Sequence, residues 1–237
     1  MTDGDALHRA ILADPADDTA RLVYADWLDE NARDIDVAIV GGMVPHVERV
    51  ERRSDGRRER AEFIRVQCEL AAIGPMDAVG GKGVSLRRRE RELWLLGSPV
   101  VPYGMPTSDW SYHLSHEAPP FSHSPMAVVR RGFVDEVRCP AAAFLGGKFA
   151  RDLFRTHPIT RGVLTDREPD RVVIRGRERW GFWTNDRTTV LPDWTFTHGE
   201  YLDTRDAAID WLSARLVTFG RRQYGLPPLP SKEATHV

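Results

Sequence analysis

Apolar positions recur with a helical period from the start of the chain, and residues 4 to 31 read as two helices. In the second, Ala20, Val23, Tyr24, Trp27 and Leu28 fall at i, i+3, i+4, i+7 and i+8, an amphipathic stripe. Thr19 or Asp18 can cap its N-terminus. Asp14-Pro15 stops the first helix, because the residue before proline is pushed out of the α region. From Arg57 to Ile73 there are two stripes, Ala61, Ile64, Cys68 and Ala71 on one side and Phe63, Val66, Leu70 and Ile73 on the other. Only a narrow polar strip through Glu62 and Glu69 is left for water, the pattern of a helix in the middle of a bundle. Gly74-Pro75 ends it. A glycine-rich linker (Gly80, Gly81, Gly83) leads to Ser85 and a further helix, LRRRERELWLLG, closed by Gly97. Residues 34 to 56 break the helical pattern with Val37, Ala38, Ile39 and Val40, then Gly41-Gly42 and Pro45, and read as an insertion holding a short strand or helix.

The periodicity then changes. Residues 98 to 125 are proline-rich and predict a long loop, a kind of segment usually functional or disordered inside a compact domain. MAVVRRGFVDEVRC predicts a β-hairpin turning near Arg131-Gly132. Pro140 opens a helix with Phe144, Leu145, Phe149, Leu153 and Phe154 as its apolar residues, interrupted at Gly146-Gly147. ITRGVLTD, RVVIRG and RWGFW are strand candidates. A last helix runs from an N-cap at Thr204 to about Phe219, with Ala208, Trp211, Leu212, Leu216 and Phe219 on one side. After Gly225 the tail, with LPPLP, reads as extended and mobile. Helices followed by strands make the fold class α+β: an N-terminal helical domain, then a small mixed strand and helix unit. The boundaries implied are 1–97 for the helical domain, 98–125 for the loop, 126–224 for the C-terminal unit and 225–237 for the tail.

Composition sharpens this only in part. A chain of 237 residues with 41% hydrophobic and 29% charged residues has enough apolar material for a core, which excludes a fibrous or wholly disordered protein. Of the 33 basic residues only Lys82, Lys148 and Lys232 are lysine, yet the net charge is −2. The arginine excess therefore reads as GC-rich coding composition rather than as a nucleic-acid footprint, which would carry excess positive charge. Charge is uneven along the chain: residues 1–36 hold ten acidic and three basic side chains, and 49–91 hold twelve basic and seven acidic. No run of about 18 apolar residues is present, and the N-terminus lacks a basic and then apolar leader, so a cytosolic location is expected. Cys68 and Cys139 then stay as thiols.

ADDTARLVYADWLDE at 16–30 and RAEFIRVQCELA at 60–71 resemble the signature of the bacterial repeat-companion domain, an uncharacterised family often found ahead of leucine-rich repeats. The match covers nearly every position of both helices. It continues more weakly through RRGFVDEVRCP at 130–140 and HPITRGVLTD at 157–166, similar to the segment leading into the family's first repeat. Three departures stand out. The 34–56 stretch replaces a connection of a few residues, Gly162 stands where an apolar strand residue is usual, and no L-x-x-L-x-L run follows residue 166. The resemblance implies at most one leucine-rich-repeat-like strand, and it brings no established activity.

Four constellations remain. Asp26, on the helix face away from Tyr24 and Trp27, and Arg65, at the edge of an apolar stripe, are awkward unless they meet, which predicts an Asp26–Arg65 ion pair with Arg21 and Tyr24 as further members. A carboxylate beside arginine has a lowered pKa and makes a poor base at neutral pH, so the pair reads as structural. ERRSDGRRER and LRRRERE could face phosphate, but interleaved glutamates fit i, i+4 pairing better. His113, His116 and His123, with Asp109 and Glu117 near, are weak metal candidates, since a zinc site needs a rigid scaffold and further ligands. Trp180, Phe182 and Trp183 are candidate partner-binding anchors. No nucleophile elbow or phosphate-binding glycine loop is present, and no cofactor is implied. The reading is a cytosolic, non-catalytic protein-interaction or adaptor module with an unidentified protein partner. A nucleic-acid-associated protein, or an enzyme with its site in the 98–125 loop, are the alternatives.

Overall fold

The computed structural model describes residues 2–41, 46–73, 77, 79–96, 111–118, 125–140, 147–166, 170–174, 176–181 and 202–229. The fold is α+β. It divides into two compact units, residues 1–103 with 130–133, and residues 104–129 with 134–237.

The first unit is helical. It contains α1 (Asp3–Ala13), α2 (Asp18–Glu30), α3 (Arg57–Ala72) and α4 (Gly81–Leu95), with β1 (Asp34–Gly41) and β2 (His46–Ser54) between α2 and α3. Thr2 and Asp5 form a capping box at the head of α1. The cap of α2 is Asp17, whose carboxylate accepts the Thr19 N–H at 2.8 Å, one residue before the expected Asp18. The expected Ser85 start of α4 also moves: the helix opens at Gly81, and the Ser85 hydroxyl bonds back to the Gly81 carbonyl at 2.9 Å. Gly4 lies under the Trp27 ring, where an added Cβ would stand 2.5 Å from the nearest ring carbon, so α1 can approach α2 closely.

The 34–56 insertion is an antiparallel hairpin, with Asp34 paired to Ser54 and Val37 to Glu51. Its two ends meet, since the Asp55 N–H bonds the Arg33 carbonyl at 2.9 Å. α3 packs against both α2 and α4. Its buried residues are Ala61, Phe63, Ile64, Val66, Gln67 and Cys68, while Ala71, expected inside, is exposed. The core of the unit joins Ile11, Ala25, Leu28, Ala61, Ile64, Cys68 and Phe133, with Tyr24 and Trp27 packed on it. In α2 the inward face is therefore Arg21, Ala25 and Leu28, and Val23 points outward, against the expected stripe.

The second unit holds a four-stranded sheet ordered β3 (Ser111–Leu114), β4 (Met126–Arg130), β5 (Phe133–Cys139) and β6 (Arg161–Leu164). β3 lies inside the proline-rich stretch read as a loop. β3 and β4 are parallel, as are β5 and β6. Met126 to Val129 are all buried, as befits a strand covered on both faces. The connection from β5 to β6 passes through α5 (Gly147–Thr156), and Glu136 pairs with Arg161 and Cys139 with Leu164, a constant offset of 25 residues. That lies within the span of one leucine-rich repeat, about 20–29 residues. β7 (Asp170–Ile174) and β8 (Arg177–Gly181) form a separate hairpin, and α6 (Arg205–Gln223), capped by Thr204, packs on β6. The tail just after α6 is tied down: Arg221 is buried and donates to the Pro227 carbonyl at 2.8 Å. No helix among the described residues is long and apolar enough to cross a membrane.

The turn between β4 and β5 takes positive φ at both central residues, 51° at Arg131 and 83° at Gly132. A two-residue type I′ hairpin requires that sign. A Cβ on Gly132 would run into the side chain of Ile64 on α3. Gly132→Ala is therefore expected to cost roughly 2 kcal/mol or more, through strain at positive φ and the clash together. A fall in the urea midpoint at unchanged m-value measures it, and an unaltered midpoint would show that the turn is not held against α3.

Candidate functional site

The most elaborate arrangement in the first unit surrounds the turn Arg130–Phe133. α2 and α3 each send one arginine to the Phe133 ring: the Arg21 guanidinium carbon lies 5.3 Å from the ring centroid and that of Arg60 lies 5.0 Å away. His8 stacks on the same ring at 6.1 Å and Tyr24 tilts against it at 6.1 Å. Two cations over one aromatic ring benefit from its quadrupole, and the benefit grows as water is removed. Withdrawal from water pushes the Arg60 pKa down to about 10, with the Arg21 charge acting in the same direction. The group stays protonated at neutral pH. Burial raises the Tyr24 pKa, so its hydroxyl stays neutral there as well.

Arg21 is almost wholly buried, and its Nη2 donates to the Pro15 carbonyl at 2.6 Å, tying α2 to the turn that precedes it. Asp18 Oδ1 lies 3.7 Å from Arg21 Nε and 3.3 Å from Arg131 Nε. The latter contact offsets part of the cost of holding a non-glycine residue at positive φ. Gln67 spans the other side: its carbonyl accepts the Gly132 N–H at 2.5 Å, and its amide donates to buried Glu90 of α4 at 2.7 Å. One side chain thus satisfies a backbone donor of the turn and a buried carboxylate oxygen together. Cys68 donates its thiol proton to Asp18 at 3.9 Å, and burial, followed by that carboxylate, pushes its pKa up to about 12. A thiol so placed is not a nucleophile at neutral pH. Cys139 in the second unit is raised to about 12 by burial in the same way.

The expected Asp26–Arg65 pair forms, at 2.8 Å, and Asp29 joins it at 3.2 Å. Its surroundings differ from those expected. The side chains are 37% exposed at Arg65 and 64% at Asp26, so the pair fastens α2 to α3 from the solvent side. Arg21 and Tyr24, expected as further members, turn inward to Phe133. The residues that periodicity passed over are Arg60, Gln67, Arg131 and Phe133. Gln67 offered a signal, an uncharged polar residue between two apolar stripes, and Phe133 directly follows an Arg-Gly turn.

The arginine clusters are paired in part. Arg89 forms a two-pronged bridge from α4 to Glu62 of α3, at 2.6 and 2.7 Å, and Arg88 bonds Glu92 at 3.2 Å. His113 lies in β3, and His116 is 3.9 Å from Glu117; His123 and Asp109 fall outside the described residues. Among the described residues no three His, Cys, Asp or Glu side chains are grouped to hold a metal ion. Trp180 is partly exposed, and its backbone exchanges hydrogen bonds with Leu202 at 2.8 and 2.7 Å. Phe182 and Trp183 fall outside the described residues. In the second unit fully buried Glu136 is bound by Arg138 at 2.5 Å and faces Arg161 at 3.6 Å, and Arg161 also holds Asp210 of α6 at 2.9 Å. No family model matches the chain, and neither a curated protein nor a solved structure is significantly similar to it.

Two substitutions separate the inner clamp from the outer pair. Phe133→Leu keeps apolar bulk but removes the ring on which both guanidinium groups stack; a loss of about 1–2 kcal/mol in urea denaturation is expected, and a loss within error would show that the stacking contributes nothing. Asp26→Asn should cost no more than about 1 kcal/mol, because the pair is exposed and Asp29 still holds Arg65. A fall in melting temperature as large as that of Phe133→Leu would contradict this ranking.

Proposed function

We infer that this chain is a non-catalytic protein-interaction or adaptor module of repeat-companion type, working in the cytosol. One observation carries the reading: the polar residues within the two signature-like stretches, Asp18, Arg21, Arg60 and Gln67, converge on one turn of their own chain. Such residues set the shape of a scaffold. The groups with nucleophilic potential beside them support the same view, since Cys68 is held as a neutral thiol. The 25-residue offset of β5 and β6 fits a single repeat-like coil.

A nucleic-acid-associated role is the second reading, favoured by exposed Arg87, Arg88 and Arg91 on α4. Capture with the full-length immobilised chain from a native lysate discriminates between the two. The expected result is a defined protein partner retained after nuclease treatment. Loss of all bound material on nuclease treatment, with steeply salt-dependent retention of the chain on duplex DNA, would overturn the adaptor reading.

A further inference from the structure

The two outer helix faces of the first unit carry opposite charge, and each carries exposed apolar side chains. α3 packs against both α2 and α4, and the two faces belong to different helices. On α2 the exposed positions Thr19, Leu22, Val23, Asp26, Asp29 and Glu30 share one side by helical period. From Asp3 to Glu30 the chain has eight acidic residues against Arg9 and Arg21, and Arg21 is buried. On α4 the positions Val84, Arg87, Arg88, Arg91 and Leu95 share the outer side. Val84 is 58% exposed and Leu95 75%. α4 has five basic residues against Glu90 and Glu92, and Glu90 is buried. Net of the Arg65 bonds to Asp26 and Asp29 and of the Glu92 bonds to Arg88 and Arg89, the α2 face stays negative and the α4 face positive, each around an exposed apolar pair.

We propose that a second copy of this chain is the partner: the acidic α2 face of one copy docks on the basic α4 face of the next, head to tail. The proposal rests on the interaction-module reading and names the occupant of its surface. The chain's near-neutral net charge lets copies approach, while charge division between the flanks selects α2 against α4 and opposes like faces. Because the two faces are different surfaces of the chain, the contact is heterologous, and copies add in a row unless the row closes into a ring. Few apolar side chains take part, so association belongs to the weak class, with dissociation constants of roughly 10 µM to 1 mM.

Sedimentation velocity on the full chain tests this. The expected result is an average mass that rises from one chain toward several between about 10 µM and 1 mM in low salt, and that falls back in about 0.5 M salt. Val23→Arg/Glu30→Arg blocks one face, and Arg87→Glu/Leu95→Asp blocks the other; circular dichroism establishes that each is folded. Each alone should keep the mass of one chain, and their mixture should reach the mass of two chains and no more. A one-chain mass for the wild type at every concentration overturns the proposal, as do self-association of either blocked variant and a mixture that stays at one chain. If the wild type stays at one chain but still retains another protein in the capture experiment, self-docking fails while the adaptor reading stands.

Discussion

The meeting of two arginines over the Phe133 ring is the constraint on which the first unit depends. The ring directly follows a turn of two residues, which has no hydrophobic volume of its own to bury. Its place in the core comes from the groups that reach it: Arg21 from α2, Arg60 from α3 and Gln67 to the adjoining Gly132 amide. Each of these side chains is polar at one end and needs that end satisfied if it is to stay inside. Arg21 finds the Pro15 carbonyl, and Gln67 finds Glu90. The turn thus organises the inner faces of both helices, and the core residues Ala25, Ala61 and Ile64 close around it.

Two layers of interaction fasten α2 to α3, and they differ in character. The inner layer is aromatic and shielded, so salt screens it less. The outer layer, Arg65 with Asp26 and Asp29, is wet and individually weak, though it fixes the rotation of one helix against the other. Arg89 repeats the outer arrangement between α4 and α3 through Glu62, whose pKa is lowered by that arginine. Arginine serves in both layers because the same planar cation stacks on a ring or forks around a carboxylate.

Much of the architecture was legible in the amino-acid pattern. The helices of the first unit, the turn at Arg131-Gly132, the strand at 161–164 and the last helix with its Thr204 cap follow from period, turn chemistry and capping. The errors have a common cause. Periodicity puts Val23 inside and Arg21 beside Asp26 because it weighs each residue by its own polarity, whereas Arg21 is buried against Phe133, far along the chain. Phe133 was legible as a strand residue but not as the centre of a helical core. The β3 strand was hidden by the prolines around it, since its four residues, Ser111 to Leu114, are too few for alternation to register and its parallel pairing with β4 is entirely non-local. The Asp26–Arg65 pair was found because two misplaced charges point to each other, but pattern carries no information on how much water surrounds them.

The hairpin between α2 and α3 has a further consequence. Its strands return the chain to its point of departure, and the hydrogen bond between Arg33 and Asp55 closes the stem. The helix pair therefore experiences a connection only a few residues long, whatever the length of chain beyond that bond. The ordering entropy of the extra residues is offset within the hairpin's own ladder and places no tax on the helical core. This junction behaves as a socket: a segment of different length or composition can be carried there, provided its ends arrive as close together as those of the present stem.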